Sequence, residues 1–192
     1  MGHGFDVLFG WQDRLDNADF RDNNSEIELP QGRTRRVVTN QSCSLSGERR
    51  GHRVVVTWTD FYVEGFAEDS LPYRDVLDIL VRAPGIVLEG ELRQKAVFDL
   101  MLGWVGIHRG WHPTNHPLFK SFTVKRTSSS GTSLLENAAY CDRLMPLLET
   151  HQPWKVEYQE GSGVDVFFQA PALTAETLDA LVELAIAAAS KP

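Results

Sequence analysis

The chain has 192 residues, 42% of them hydrophobic and 23% charged, with a net charge of −7 at neutral pH. That composition excludes collagen-like, mucin-like and disordered chains, and it is long enough to bury a core without disulfides or a structural metal. The acidic balance argues against a generic nucleic-acid coat protein.

In chain order, Phe5, Leu8, Phe9 and Leu15 recur at helical spacing, which predicts a short helix over about 4–15. The segment DNADFRDNNSEIELPQG, 16–32, is rich in Asp, Asn, Pro and Gly. It reads as a loop with a short strand at 26–29. From Thr34 the period becomes two. RRVVTNQSCSL, a turn at SGERRG and HRVVVTWTDFYVEGF form a hairpin. Its second strand carries apolar residues on both faces, as expected of a central strand covered on both sides.

The run over 75–83 is a buried strand stopped by Pro84-Gly85, and 86–88 is a possible extension past a kink. Leu92, Ala96, Leu100 and Gly103 form one ridge of a helix over 91–104. Glycines and prolines punctuate a loop through IHRGWHPTNHP. A strand over 118–124 follows, then a helix over 133–149 opened by a Ser133/Glu136 capping box and carrying Pro146 near a kink or a terminal turn. Two strands, 154–159 and 164–170, are joined by EGSG, and a last helix opens at Thr174. The order α-β-β-β-α-β-α-β-β-α describes an α+β fold. The expected form is a mainly antiparallel sheet of about six or seven strands with helices packed on one face. It reads as one domain over 1–192, with a sub-division, if any, near 106–117.

The N-terminus lacks the features of a signal peptide, and no apolar run reaches the roughly 20 residues of a membrane helix. The expectation is a soluble cytoplasmic protein without membrane insertion. Cys43 and Cys141 are widely separated and read as buried free thiols.

Three features invite a chemical reading. His108, His112 and His116 place three of the six histidines in nine residues. Three imidazoles with an open position activate water on zinc, so a metal-dependent hydrolase is one alternative. The prolines and Gly110 oppose the helix that would bring this spacing together. Second, Arg33, Arg35, Arg36, Arg49, Arg50 and Arg53 line the hairpin. Guanidinium groups grip phosphate and carboxylate, so an anion or nucleic-acid site built on Arg35, Arg49, Arg50 and Arg53 is another. Against it, the first 31 residues hold seven acids and two arginines, which can neutralise the hairpin. Third, Cys141 with His151 has the residue types of a thiol–imidazole pair, although Cys141 falls in a core-facing helix stretch where thiols are inert. Asp60, Glu64, Glu68 and Asp69 form an acidic loop, and Trp58, Phe61, Tyr62, Phe66, Trp104 and Trp111 read as core before ligand cage.

The pattern GERRGHRVVV at 47–56, a strand ending in proline at 76–84, a helix at 91–103, an FxxFxV strand at 119–124 and a Leu-Leu helix at 134–148 resembles a family of uncharacterised bacterial proteins. The likeness spans roughly 37–190. Members often carry membrane helices ahead of the domain, and none is seen here. The resemblance implies no activity, no cofactor and no functional residue. With no catalytic constellation in the sequence, the expectation is a non-enzymatic bacterial protein that acts by binding, as a homo-oligomer or with a protein partner.

Overall fold

A computed structural model describes residues 3–31, 34–63, 73–86, 90–95, 114–126, 133–169 and 173–190. The fold is α+β. One antiparallel sheet of eight strands runs in the order β1-β2-β3-β4-β8-β7-β5-β6, and five helices accompany it among the described residues. The strands are β1 Asp16–Gln31, β2 Thr34–Arg49, β3 His52–Val63, β4 Tyr73–Arg82, β5 Gly90–Gln94, β6 Phe122–Arg126, β7 Lys155–Gln159 and β8 Gly163–Gln169. The helices are α1 His3–Trp11, α2 Leu118–Ser121, α3 Ser133–Glu136, α4 Ala138–His151 and α5 Ala175–Ala189, with a 3-10 turn at Gln12–Arg14. The chain divides into two compact units, Met1–Ile79 with Phe168–Ala180, and Leu80–Phe167 with Leu181–Pro192.

In the first unit, Leu8 and Trp11 of α1 are fully buried and the helix packs on β2 and β3. Residues 16–31 form one continuous strand, where a loop with only a short strand at 26–29 is expected. Apart from the bulge it pairs with β2 residue by residue, from Asp16↔Glu48 to Gln31↔Thr34. Asp and Asn disfavour strands locally, but a ready partner strand overrides that preference. The irregularity survives as a bulge between Asp16 and Asp19, where Asn17 takes a left-handed conformation at φ 53°. The hairpin turn is tighter than SGERRG suggests. Only Arg50 (φ 52°) and Gly51 (φ 75°) lie between the strands, the two positive φ values of a type I′ turn.

Strand β3 is not covered equally on both sides. Val54, Val56 and Trp58 are buried, while Val55, Thr57 and Thr59 are half-buried. The same alternation holds for Cys43, Leu45 and Gly47 in β2 and for Leu77 and Ile79 in β4, so the core lies on one face of this part of the sheet. Gly47 has a steric reason. A Cβ there would meet Leu15 Cβ at 2.7 Å and the Asp16 carbonyl oxygen at 2.9 Å.

In the second unit the expected 91–104 helix begins instead as β5. Leu92 lies opposite both Val124 of β6 and Val156 of β7, so pairing on two sides outweighs helical spacing. Residues 96–104 lie outside the described residues, as do 87–89. The expected 118–124 strand is split. His116 and Pro117 start a helical turn that buries the adjacent Leu118 and Phe119, and pairing begins at Phe122. The expected 133–149 helix is broken at Asn137, whose extended backbone (ψ 112°) makes it the N-cap of α4 and whose side chain accepts the Tyr140 N–H at 3.1 Å. Pro146 lies inside α4 on an exposed position. The hairpin β7–β8 and the last helix follow the expectation, with the Thr174 hydroxyl accepting the Thr177 N–H at 3.1 Å.

Candidate functional site

Among the described residues of the first unit, a polar cluster gathers around Asp179, in the second turn of α5. Its Oδ1 accepts the indole N–H of Trp11 at 3.1 Å and a guanidinium N–H of Arg49 at 2.6 Å. Its Oδ2 accepts from Arg14. Arg49 also stacks over the Trp11 ring, 5.4 Å from its centroid. One carboxylate therefore ties the end of α1, the 3-10 turn, the end of β2 and α5 together. Asp179 was not legible as a site residue, because its partners lie more than a hundred positions away in sequence.

This geometry divides the arginine candidates. Arg49 is already held by a carboxylate. Arg50 occupies the turn and is exposed, and Arg53 is exposed at the start of β3, across from Glu48. Arg35 sits at the other end of β2, opposite Pro30. Along the strand from Arg35 to Arg49 the separation is roughly 45 Å at about 3.3 Å per residue. The four arginines do not converge on one ligand.

Of the histidines, His108 and His112 lie outside the described residues. His116 is 9% exposed, with its Nε2 2.9 Å from Asp142 Oδ1 and its Nδ1 accepting the Leu118 N–H at 3.2 Å. That pair of contacts places the proton on Nε2, donated to Asp142, and leaves no imidazole lone pair open. Its work is to start α2. Among the described residues no group of three or more His, Cys, Asp or Glu is arranged to hold a metal ion. The acidic loop beyond Asp60 lies outside the described residues.

Cys141 is buried and donates its S–H to the Leu135 carbonyl at 3.3 Å. Burial, with Asp142 adding to it, pushes the thiol up to about 11, so it is protonated at neutral pH. His151 closes α4. Beside Cys141, the Tyr140 hydroxyl donates to the Ala188 carbonyl at 2.7 Å and lies 3.0 Å from the Tyr158 hydroxyl, which must then be the donor between them. Burial is the main cause raising both phenols above their ordinary range. On the half-buried face of the first unit, burial also raises the Asp78 carboxyl, which hydrogen bonds from Thr57 partly oppose.

The feature that sequence reasoning missed is an aromatic cluster of two half-buried rings and one exposed ring. Phe5 and Phe9 of α1 stack at 6.4 Å, and Phe20 of β1 meets both edge-on, at 5.1 and 5.7 Å. Phe9 is 53% exposed, while Leu8 and Trp11 are fully buried. The signal was in the helical wheel. At about 100° per residue, Phe9 stands roughly 160° from Trp11, so Phe5 and Phe9 leave the buried stripe toward β1. Trp58, by contrast, is core. In the second unit Trp154 is 38% exposed, with Arg93 and Lys155 over its ring.

No protein-family profile, curated protein or solved structure matches this chain. The resemblance noted above thus rests on its structural pattern alone. No helix among the described residues is long and apolar enough to cross a membrane.

Proposed function

We propose that this chain is a non-enzymatic binding module of the bacterial cytoplasm that engages a protein partner. The observation that carries this reading is Phe9, a large ring more than half exposed within a three-ring cluster. An exposed ring costs free energy in water, and aromatic anchors dominate protein interfaces. Among the described residues, several groups that could serve chemistry are engaged in the fold, which supports the same reading. Arg14 and Arg49 hold Asp179, His116 starts a helix, and Cys141 is a protonated core thiol.

The test is crosslinking of the tagged full chain in the cells it comes from, with Phe9→Ser as the control. A partner that crosslinks through α1 and is lost in the variant supports the reading. A chain that crosslinks to nothing through α1 at its cellular concentration overturns it.

A further inference from the structure

The location of the aromatic cluster narrows the partner, given that reading of the protein as an interaction module. We propose that the partner presents a basic, extended peptide segment, which adds as a strand along β1 and seats an apolar side chain against Phe5, Phe9 and Phe20. Three observations meet there. Among the described residues β1 is the terminal strand of the sheet, paired with β2 on one side. A terminal strand offers its outer row of backbone N–H and C=O groups to an incoming strand. The cluster marks one face of that edge, because Phe20 belongs to β1 itself and lies opposite the buried Leu45, on the face that α1 covers.

The third observation is charge. β1 carries five acids and one arginine, and that arginine, Arg21, pairs with Asp19 at 2.9 Å. Asp6 beside Phe5, and Asp16 and Asp22 on β1, are exposed. A second copy pairing through β1 would set one net −4 strand against another, which like-charge repulsion across a ladder opposes. A lysine- or arginine-bearing strand meets the opposite sign. The bulge at one end of β1 and Pro30 near the other limit the addition to about 19–29. The aromatic cluster lies at the α1 end of that window.

The probe is a labelled peptide of about twelve residues alternating lysine and valine, with a glutamate–valine counterpart, titrated into the full chain and read by fluorescence anisotropy. The expected result is binding of the lysine peptide at least about tenfold tighter than the glutamate peptide, weakened severalfold between about 50 and about 300 mM salt. Phe9→Ser and Asp22→Lys, both at exposed positions, each weaken it about tenfold. Amide exchange then slows over 19–29, and methylating alternate peptide nitrogens of the probe abolishes binding. Equal affinity for both peptides, protection elsewhere than β1, or a dimer of the chain that buries Phe9 overturns the proposal. A partner that crosslinks through Phe9 while β1 gains no protection removes strand addition alone. No crosslinked partner removes the interaction reading itself.

Discussion

At the scale of single residues, Asp179 is the clearest case of a side chain whose role comes from where the chain brings it. Two guanidinium groups and an indole N–H converge on its two oxygens, with about a fifth of the side chain exposed. Truncation leaves Arg49 and the Trp11 N–H without that acceptor. Asp179→Ala is therefore expected to cost about 2 kcal/mol, less than the loss of a fully buried pair because water reaches the site. Asp179→Asn keeps an acceptor for Trp11 and is expected to cost about half as much. Urea denaturation measures both, and equal stability of Asp179→Ala and the native chain would remove the tie. The tyrosine pair makes an ordering prediction. Tyr140→Phe strands the buried Tyr158 hydroxyl and the Ala188 carbonyl together, whereas Tyr158→Phe leaves Tyr140 bonded to Ala188. The first is expected to cost about 2–3 kcal/mol and the second about 1. A reversed order in the same denaturation experiment would show that the donor direction is wrong.

At the scale of elements, the β2–β3 hairpin turns on Arg50 and Gly51, both at positive φ. Glycine adopts that conformation freely, but an arginine there is strained by roughly 1 kcal/mol. Asparagine is the preferred residue at the first position of such a turn. Arg50→Asn is expected to raise stability by about 0.5 kcal/mol, seen as a higher midpoint in thermal unfolding. A lower midpoint would mean that the Arg50 side chain contributes more to the fold than its backbone costs. The same element view explains which expectations held. β3, β4, β7, β8 and α5 announce themselves by strong alternation or helical stripes with clear stops. β1 does not, because its residues are poor strand formers and β2 supplies the reason to extend. β5 and α2 escape the local reading because four or five residues with one or two large apolar positions fit either period. The candidate site was less legible still. Phe5 and Phe9 share a helix with Leu8 and Trp11; the wheel sets Phe9 apart from Trp11, but only tertiary packing decides how much of each ring stays in water.

At the scale of the whole molecule, the buried ionisable groups give stability a pH dependence. The folded Cys141 thiol titrates near 11 against an ordinary value of 9, and the Tyr140 and Tyr158 phenols are likewise raised. The unfolded chain therefore loses these protons first. Their contribution is fully present below about pH 9 and falls as pH rises toward and beyond 11. Unfolding midpoints in urea are expected to drop steeply from about pH 9 upward, and Cys141→Ala is expected to flatten the first part of that fall. A midpoint that stays level to pH 11 would contradict the burial of these groups.

The amino-acid order by itself determined an α+β chain with antiparallel hairpins, an acidic first segment, a basic hairpin and a thiol buried in a helix. Those properties follow from local periodicity and composition, which neighbouring residues carry among themselves. Tertiary structure alone decided that β1 pairs along most of β2 and ends the sheet, that Arg35 stands far from Arg49, and that Asp179 collects its cations. It also decided that Phe9 remains in water beside Phe5 and Phe20. Each of these depends on strand pairing or on contacts between residues distant in sequence, and no local pattern encodes which distant surface will arrive.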